Sequence, residues 1–239
     1  MLENDPIFDV NLIPELTQAF RDNTGIREID SQDEAGVGIS MVGDGNCGYR
    51  ASIRGLYGWT VEGVYQFGLT CEQQAAHMTD VCSCVTDFRS GLYIYLSQNI
   101  NIIIRDYLIV DAAGDVLPIF QGTRREIMSR IGGIIWARGM DFDGGCHSDF
   151  WLDFPTVGPL LAHKYWRTFV SYSDGVQGNG VQNRSTIIAF YEEETSRVMM
   201  YYFLEVYLSQ PSGAVCLSHS QNHFNFWGRD KLFIHCLQQ

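Results

Sequence analysis

The chain carries two textures of hydrophobic and polar residues. From Thr168 onward, short apolar and β-branched runs recur at Thr168–Ser173, Ser185–Tyr191, Val198–Leu208 and Ala214–His219, each suited in length and composition to a strand. The glycine-rich stretch from Ser173 to Ser185 reads as a mobile loop between the first two. Upstream the period is helical. Leu92, Tyr95, Leu96, Ile100, Ile103 and Tyr107 fall at helical spacing within Asp87–Val110, a core stripe rather than a cofactor box. Thr123–Trp136 predicts a second helix, with Thr123 as its cap, Glu126 at the reciprocal capping position, and Gly132 and Gly133 ending or weakening it. A short helix is expected at Asn11–Asp22, where Leu12, Leu16 and Phe20 share a face and Pro14 lies in the first turn. Val37–Val42 suits a strand and Tyr49–Trp59 a helix, so the organisation is mixed α and β, an α+β class within α/β.

Between that strand and that helix stands GDGNCGYRAS, Gly43 to Ser52. Cys47 therefore sits where a loop enters a helix. First-turn N–H groups are unpaired there and the helix dipole favours an anion, so the position predicts a thiol pKa lowered toward a reactive thiolate. Most of the seven cysteines are expected to be small buried hydrophobes, but the neighbours of Cys47 are Gly, Asp, Asn and Arg rather than an apolar face. Gly43, Gly45 and Gly48 also spell G-x-G-x-x-G, with Glu62 downstream. Against a dinucleotide site, Asp44 would set a carboxylate beside a pyrophosphate. A P-loop is excluded because no Lys-Ser/Thr pair follows the glycines, and the only lysines are Lys164 and Lys231.

A cysteine nucleophile needs a histidine to take its proton and return it to the leaving amine, and a third group to hold the imidazole tautomer. His223 follows an apolar run and the turn Ser220-Gln221-Asn222, at the start of an extended segment. In such a segment residues two apart share a face, which puts Asn225 beside His223 as its orienting group. His219 is the nearest rival base and reads as a strand or turn residue.

Together these segments resemble the ovarian-tumour (OTU) family of cysteine deubiquitinases. The nucleophile motif of that family, Asp-Gly-Asn-Cys-x-aromatic-Arg, is matched by Asp44, Gly45, Asn46, Cys47, Tyr49 and Arg50, and its histidine with Asn or Asp two residues on by His223 and Asn225. Phe88–Asn99 is similar to the arginine-led helix of the family, and Trp151–Tyr172 to its Trp, helix and strand segment. Phe224 stands where the family usually has Tyr, and Arg124–Asp149 has no assigned family counterpart.

The resemblance covers roughly residues 37 to 227. It implies a papain-like OTU cysteine protease fold, a small central β-sheet packed between helical lobes, over residues 37–239, preceded by an acidic extension over 1–36. It implies Cys47 as nucleophile, His223 as base, Asn225 as orienting residue, and backbone N–H groups of the Asp44–Cys47 loop as oxyanion donors, with the Asp44 side chain holding that loop in shape. The implied reaction is thiol-dependent hydrolysis of isopeptide bonds at the C-terminal glycine of ubiquitin or a ubiquitin-like modifier. The alternatives are a catalytically silent ubiquitin-binding module and a cysteine hydrolase acting on other amides.

Composition narrows the setting. A chain of 239 residues without a Pro/Ser-rich linker favours one domain, and a monomer is expected. The odd cysteine count and the absence of a basic-plus-apolar leader suggest a reducing, cytoplasmic location, or a host cytosol for a pathogen protein. No apolar run reaches the roughly 20 residues of a bilayer span. A net charge of −12 opposes nucleic acid and favours basic partners. Nine acidic residues against Arg21 and Arg27 lie within residues 1–35, either a solvated leader or a docking element for a basic face. No cofactor and no metal are expected. Cys71, His77, Cys82 and Cys84 lack the spacing of a zinc ribbon or finger, and the adjacent pairs Cys146-His147 and His235-Cys236 are poorly built to turn to one ion.

Overall fold

A computed structural model describes residues 28–29, 37–41, 43–57, 71–110, 116–136, 147–176, 182–204, 207–209, 213–220 and 223–228. In chain order the elements are β1 (Glu28–Ile29), β2 (Val37–Ser40), α1 (Cys47–Tyr57), α2 (Cys71–Asp106), β3 (Tyr107–Val110), β4 (Val116–Pro118) and α3 (Arg124–Ile135). A 3-10 turn (Ser148–Phe150) leads to α4 (Phe154–Tyr165), β5 (Phe169–Val176), β6 (Gln182–Glu192), β7 (Arg197–Leu204), β8 (Tyr207–Leu208), β9 (Val215–Ser220) and β10 (His223–Gly228). The mixed α and β class is therefore present. The helix expected at Asn11–Asp22 lies outside the described residues.

One mixed sheet of eight strands runs β2-β10-β9-β5-β6-β7-β3-β4, with β5/β9 and β3/β7 parallel and the other neighbours antiparallel. Glu28 and Ile29, from the acidic segment, pair separately with Leu208 and Tyr207 of β8. Alternation gives the large sheet two unlike faces. Phe169, Ile187, Ala189, Val198, Met200, Val215, Leu217 and Phe224 point to a core shared with residues of all four helices, including Ala51, Leu92, Ile131 and Leu161. On the other face, Val170, Tyr172, Ile188, Phe203 and Cys216 pack with Tyr207 and Leu208 of β8. The expected sheet was small and flanked by helical lobes. Among the described residues it has eight strands and all four helices cover a single face, because only one set of alternating positions meets helix side chains.

Several expectations shift at element ends. The amphipathic stripe over Asp87–Val110 is buried at Leu92, Leu96, Ile100, Ile103 and Tyr107, but the helix stops at Asp106. Tyr107–Val110 instead forms β3, where an apolar YLIV run pairs on both sides. The Thr123 capping box of α3 is formed in both directions: Thr123 accepts from the Glu126 amide and Glu126 accepts from the Thr123 amide. Gly132 and Gly133 do not end α3, which runs through both to Ile135. Gly132 is buried, and a Cβ there would come within 3.0 Å of the Tyr93 ring, so its smallness serves the packing of α3 on α2. Much of the expected mobile loop is strand, since β5 and β6 stay paired from Phe169↔Ala189 out to Val176↔Gln182. No helix among the described residues is long and apolar enough to cross a membrane.

Candidate active site

Strand β2 ends its pairing with β10 at Ser40↔Asn225, and the chain then turns away from the sheet into α1. Gly45 makes the turn at φ 80°, a conformation that costs a glycine nothing and a residue with a Cβ a good deal. The Asp44 carboxylate ties this turn to the start of α1. Its Oδ1 accepts from the Asn46 amide at 3.0 Å and from Arg50 Nε at 3.4 Å, and its Oδ2 accepts from Arg50 Nη2 at 2.6 Å. Because Arg50 is almost wholly buried, this ion pair fastens the loop to the second turn of α1. The Asn46 carbonyl accepts from the Arg50 amide at 2.9 Å and starts the helix. Asn46 N–H is thus committed to Asp44, which removes it from the backbone donors expected for an oxyanion.

Cys47 is the first residue of α1 and is 5% exposed. Its Sγ accepts a hydrogen bond from the Phe224 amide at 3.2 Å, beyond the point where β2 stops supplying partners to β10. This contact joins two segments 177 positions apart. Burial pushes the Cys47 thiol up from its ordinary value, and the Asp44 charge adds to the rise. The amides of Phe224, Gly48 and Cys47 itself act in the opposite direction. The expected lowering is therefore reversed: helix N-terminal donors are present, but desolvation of a nearly sealed sulfur outweighs them.

His223 opens β10, and a Cβ added at Gly43 would lie 3.8 Å from its Nδ1, so the ring lies against the loop that leads to Cys47. Asn225 follows on the same strand face, as a two-residue period requires, while Phe224 between them turns into the core. Asn225 Oδ1 is buried and has no hydrogen-bond partner. Among the described residues, no hydrogen bond links Cys47 Sγ to the His223 ring or the His223 ring to Asn225. The chain thus gathers Cys47, His223, Asn225 and Asp44 at one edge of the sheet without closing a hydrogen-bonded triad. His219 leaves β9 on the core side. Its ring stacks on Phe224 with centroids 4.4 Å apart, and its Nδ1 lies 3.5 Å from Ser173 Oγ. Burial lowers the His219 imidazole below its usual range, Asp153 opposes this and His223 adds to it.

Arg89, the arginine of the segment likened to the arginine-led helix and given no site role from sequence, supports the site from α2, where it is fully buried. Its Nη1 donates to Asn46 Oδ1 at 2.7 Å, its Nη2 to the Ile134 carbonyl at 2.9 Å and its Nε to the Ile135 carbonyl at 3.3 Å. The guanidinium lies 4.3 Å from the centre of the Tyr49 ring, and the Tyr49 hydroxyl donates to Ile134 O at 3.2 Å. A sequence signal existed, for Arg89 interrupts the buried stripe Val85, Phe88, Leu92 and Leu96, and an arginine is rarely fully buried without partners. The segment with no assigned family counterpart supplies those carbonyls from the end of α3.

Among the described residues, no group of three or more His, Cys, Asp or Glu could hold a metal ion. Cys71, His77, Cys82 and Cys84 all fall on α2, with side chains outside the described ones, as are Cys146, His235 and Cys236. His147 accepts from the Asp149 amide at the start of the 3-10 turn. Comparison of the chain with protein-family models, with curated proteins and with solved structures finds no match in any of the three.

Proposed function

We propose that the protein is a thiol-dependent deubiquitinase of the OTU type, with Cys47 as nucleophile, His223 as general base and acid, and Asn225 as the group that orients the imidazole. The observation that carries this reading is the hydrogen bond from Phe224 N–H to Cys47 Sγ. The donor is the peptide nitrogen that directly follows His223. Backbone bond lengths put the His223 Cα about 2.4 Å from that nitrogen, so the candidate base is anchored within one peptide unit of the donor that holds the sulfur. The ubiquitin substrate and the OTU type rest on the resemblance of the two motifs.

In this mechanism His223 takes the Cys47 proton as the sulfur attacks the carbonyl of the ubiquitin C-terminal glycine. The Asp44, Gly45 and Cys47 amides are the loop donors left for the oxyanion, since that of Asn46 is held by the Asp44 carboxylate. His223 protonates the leaving lysine amine, and water attacks the thioester to release ubiquitin and the free thiol. Asn225 accepts from the ring and fixes its tautomer, a role that suits a buried amide oxygen with no other partner. No cofactor enters the reaction. A reducing compartment and a basic partner face are part of the same reading, given the free thiol and the net charge of −12.

One observation favours a second reading. Burial raises the Cys47 pKa and the His223 ring is not hydrogen-bonded to the thiol, an arrangement that suits a module binding ubiquitin without cleaving it. A ubiquitin probe with a C-terminal thiol-reactive warhead separates the two by intact mass. The enzyme reading expects one ubiquitin adduct on the wild-type chain, lost in Cys47→Ala and strongly slowed in His223→Ala. A folded wild-type chain that binds ubiquitin and forms no adduct would leave the silent module.

A further inference from the structure

We propose that Arg89 is a positioning residue that sets the conformation of the nucleophile loop through the side chain of Asn46. The inference rests on the cysteine hydrolase reading above and adds to it a component from a different helix. Burying a guanidinium is unfavourable unless its donors are met, and an apolar side chain would pack α2 against α1 and α3 with less desolvation. What arginine adds is direction. Its rigid fork meets three acceptors at once: Asn46 Oδ1 and the last two carbonyls of α3, from Ile134 and Ile135. Those carbonyls form the negative end of the α3 dipole, which favours a cation at that point. The Tyr49 ring closes the remaining side of the guanidinium and its hydroxyl shares the Ile134 carbonyl.

Asn46, the residue before the nucleophile, is consequently held at three atoms: its amide N–H by Asp44, its carbonyl by the Arg50 amide, and its side-chain oxygen by Arg89. Of these, only the Arg89 contact reaches outside the motif. It references the loop to the middle of α2 and the end of α3 rather than to itself. With its oxygen on Arg89, the Asn46 side chain cannot turn over, and the peptide that joins Asn46 to Cys47 is held from both sides. Loss of Arg89 frees the amide to rotate and the Cys47 backbone to shift, so the consequence appears in the chemical step and not in substrate binding.

The test is a double-mutant cycle on the full chain with Arg89→Met, Asn46→Ala and both together, and with Arg89→Lys as a variant that keeps the charge and loses the fork. With a fluorogenic ubiquitin amide, each single variant is expected to lose about 100-fold in kcat with KM changed by less than about threefold, the scale of a nucleophile misplaced by about an ångström. The double variant is expected to be no slower than the worse single, because both act through one contact. Arg89→Lys should not rescue. Multiplying losses in the double variant, a lysine that restores wild-type kcat, or a rise in KM at unchanged kcat would each overturn the proposal. The second readout is the rate at which iodoacetamide alkylates Cys47, followed on its own peptide by mass. Each single variant should raise that rate several-fold as the sealed sulfur opens, and the double variant no further; multiplying effects would again overturn the proposal. This readout needs no ubiquitin. If the wild-type chain fails to cleave the ubiquitin amide, the deubiquitinase reading fails while the coupling of Arg89 to the Cys47 loop is still measured. Arg89→Lys, with its retained stem, serves if Arg89→Met does not fold.

Discussion

Gly48→Ala separates the packing of the site from the chemistry of its motif. Gly48 lies beside Cys47 in the first turn of α1, and its backbone is in no conformation that forbids a side chain. The obstacle is space. A Cβ there would lie 2.7 Å from Leu152 Cβ, 3.0 Å from Phe224 Cδ2 and 3.3 Å from Leu152 Cγ. Favourable carbon contacts sit at about 3.5–4.0 Å, so α1 and the Leu152–Phe224 wall must part by close to an ångström. Overpacking of this kind costs about 1–3 kcal/mol. Replacing glycine by alanine in a helix returns at most about 1 kcal/mol, and less in a first turn where the backbone is only partly constrained. The net expectation is a loss of about 1–2 kcal/mol, which for a chain of this length lowers Tm by about 2–8 °C.

The matched control is Gly133→Ala, in an exposed turn of α3 where a Cβ would meet nothing within 4 Å. There only the propensity term acts, and stability should rise by up to about 1 kcal/mol. The same substitution thus takes opposite signs at two helical glycines. Thermal and denaturant unfolding of both variants checks this, and reactivity of Cys47 with the ubiquitin probe checks the site. The displaced wall carries Phe224, whose amide holds the sulfur, so probe reaction in Gly48→Ala should slow by about 10²-fold even at temperatures where the variant is fully folded. A Gly48→Ala protein as stable and as reactive as wild type would refute the packing argument.

Asp44→Asn keeps an acceptor for the Asn46 amide and removes the charge facing buried Arg50; a stability loss of about 1–3 kcal/mol is expected in denaturant titration. The same variant should lower the Cys47 thiol pKa, because the Asp44 charge helps raise it, and the pH dependence of iodoacetamide alkylation reads that shift. Asn225→Ala should leave a residual rate of ubiquitin release whereas Cys47→Ala leaves none, since tautomer control is a partial contribution; equal loss in steady-state turnover would assign Asn225 a larger role. Burial, with a smaller push from Tyr191, raises the Tyr95 phenol to about 12. In the unfolded chain such a phenol ionises near pH 10, so its stabilising share is complete below that, and is lost as the pH climbs from about 10 through 12. Tyr95→Phe should therefore flatten the alkaline fall in Tm, and an unchanged slope would assign the fall to other groups.

Local rules located the site better than they set its state. Thr123 and Glu126 form their capping box because both halves lie within one turn, and the stripe from Leu92 to Ile103 is buried because a helical period needs no distant partner to define a face. The placement of Cys47 at a helix start and of His223 and Asn225 on one strand face was equally legible: a loop entering a helix and a two-residue period on a strand are both local geometries. What failed depended on contacts from far along the chain. The end of α2 at Asp106 is decided by strands on both sides of Tyr107–Val110, which draw an apolar run out of the helix. Gly132 stands inside α3 rather than at its end because the Tyr93 ring of α2 occupies the space that a Cβ there would need.

The sign of the Cys47 shift fails for the same reason, and most instructively. A helix N-terminus favours a thiolate, but that local term is a few partial charges, whereas the opposing term is the loss of water from the sulfur, imposed by Phe224 and by the core packed behind α1. The role of Arg89 is illegible locally because its partners, an asparagine 43 positions upstream and carbonyls 45 and 46 positions downstream, share no sequence window with it. Its position within a buried stripe is visible, and a charge in such a stripe must be answered by fixed acceptors somewhere in the fold. The candidate nucleophile can thus be placed from its neighbours in sequence, while the groups that set its environment belong to the three helices and the strand that converge on it.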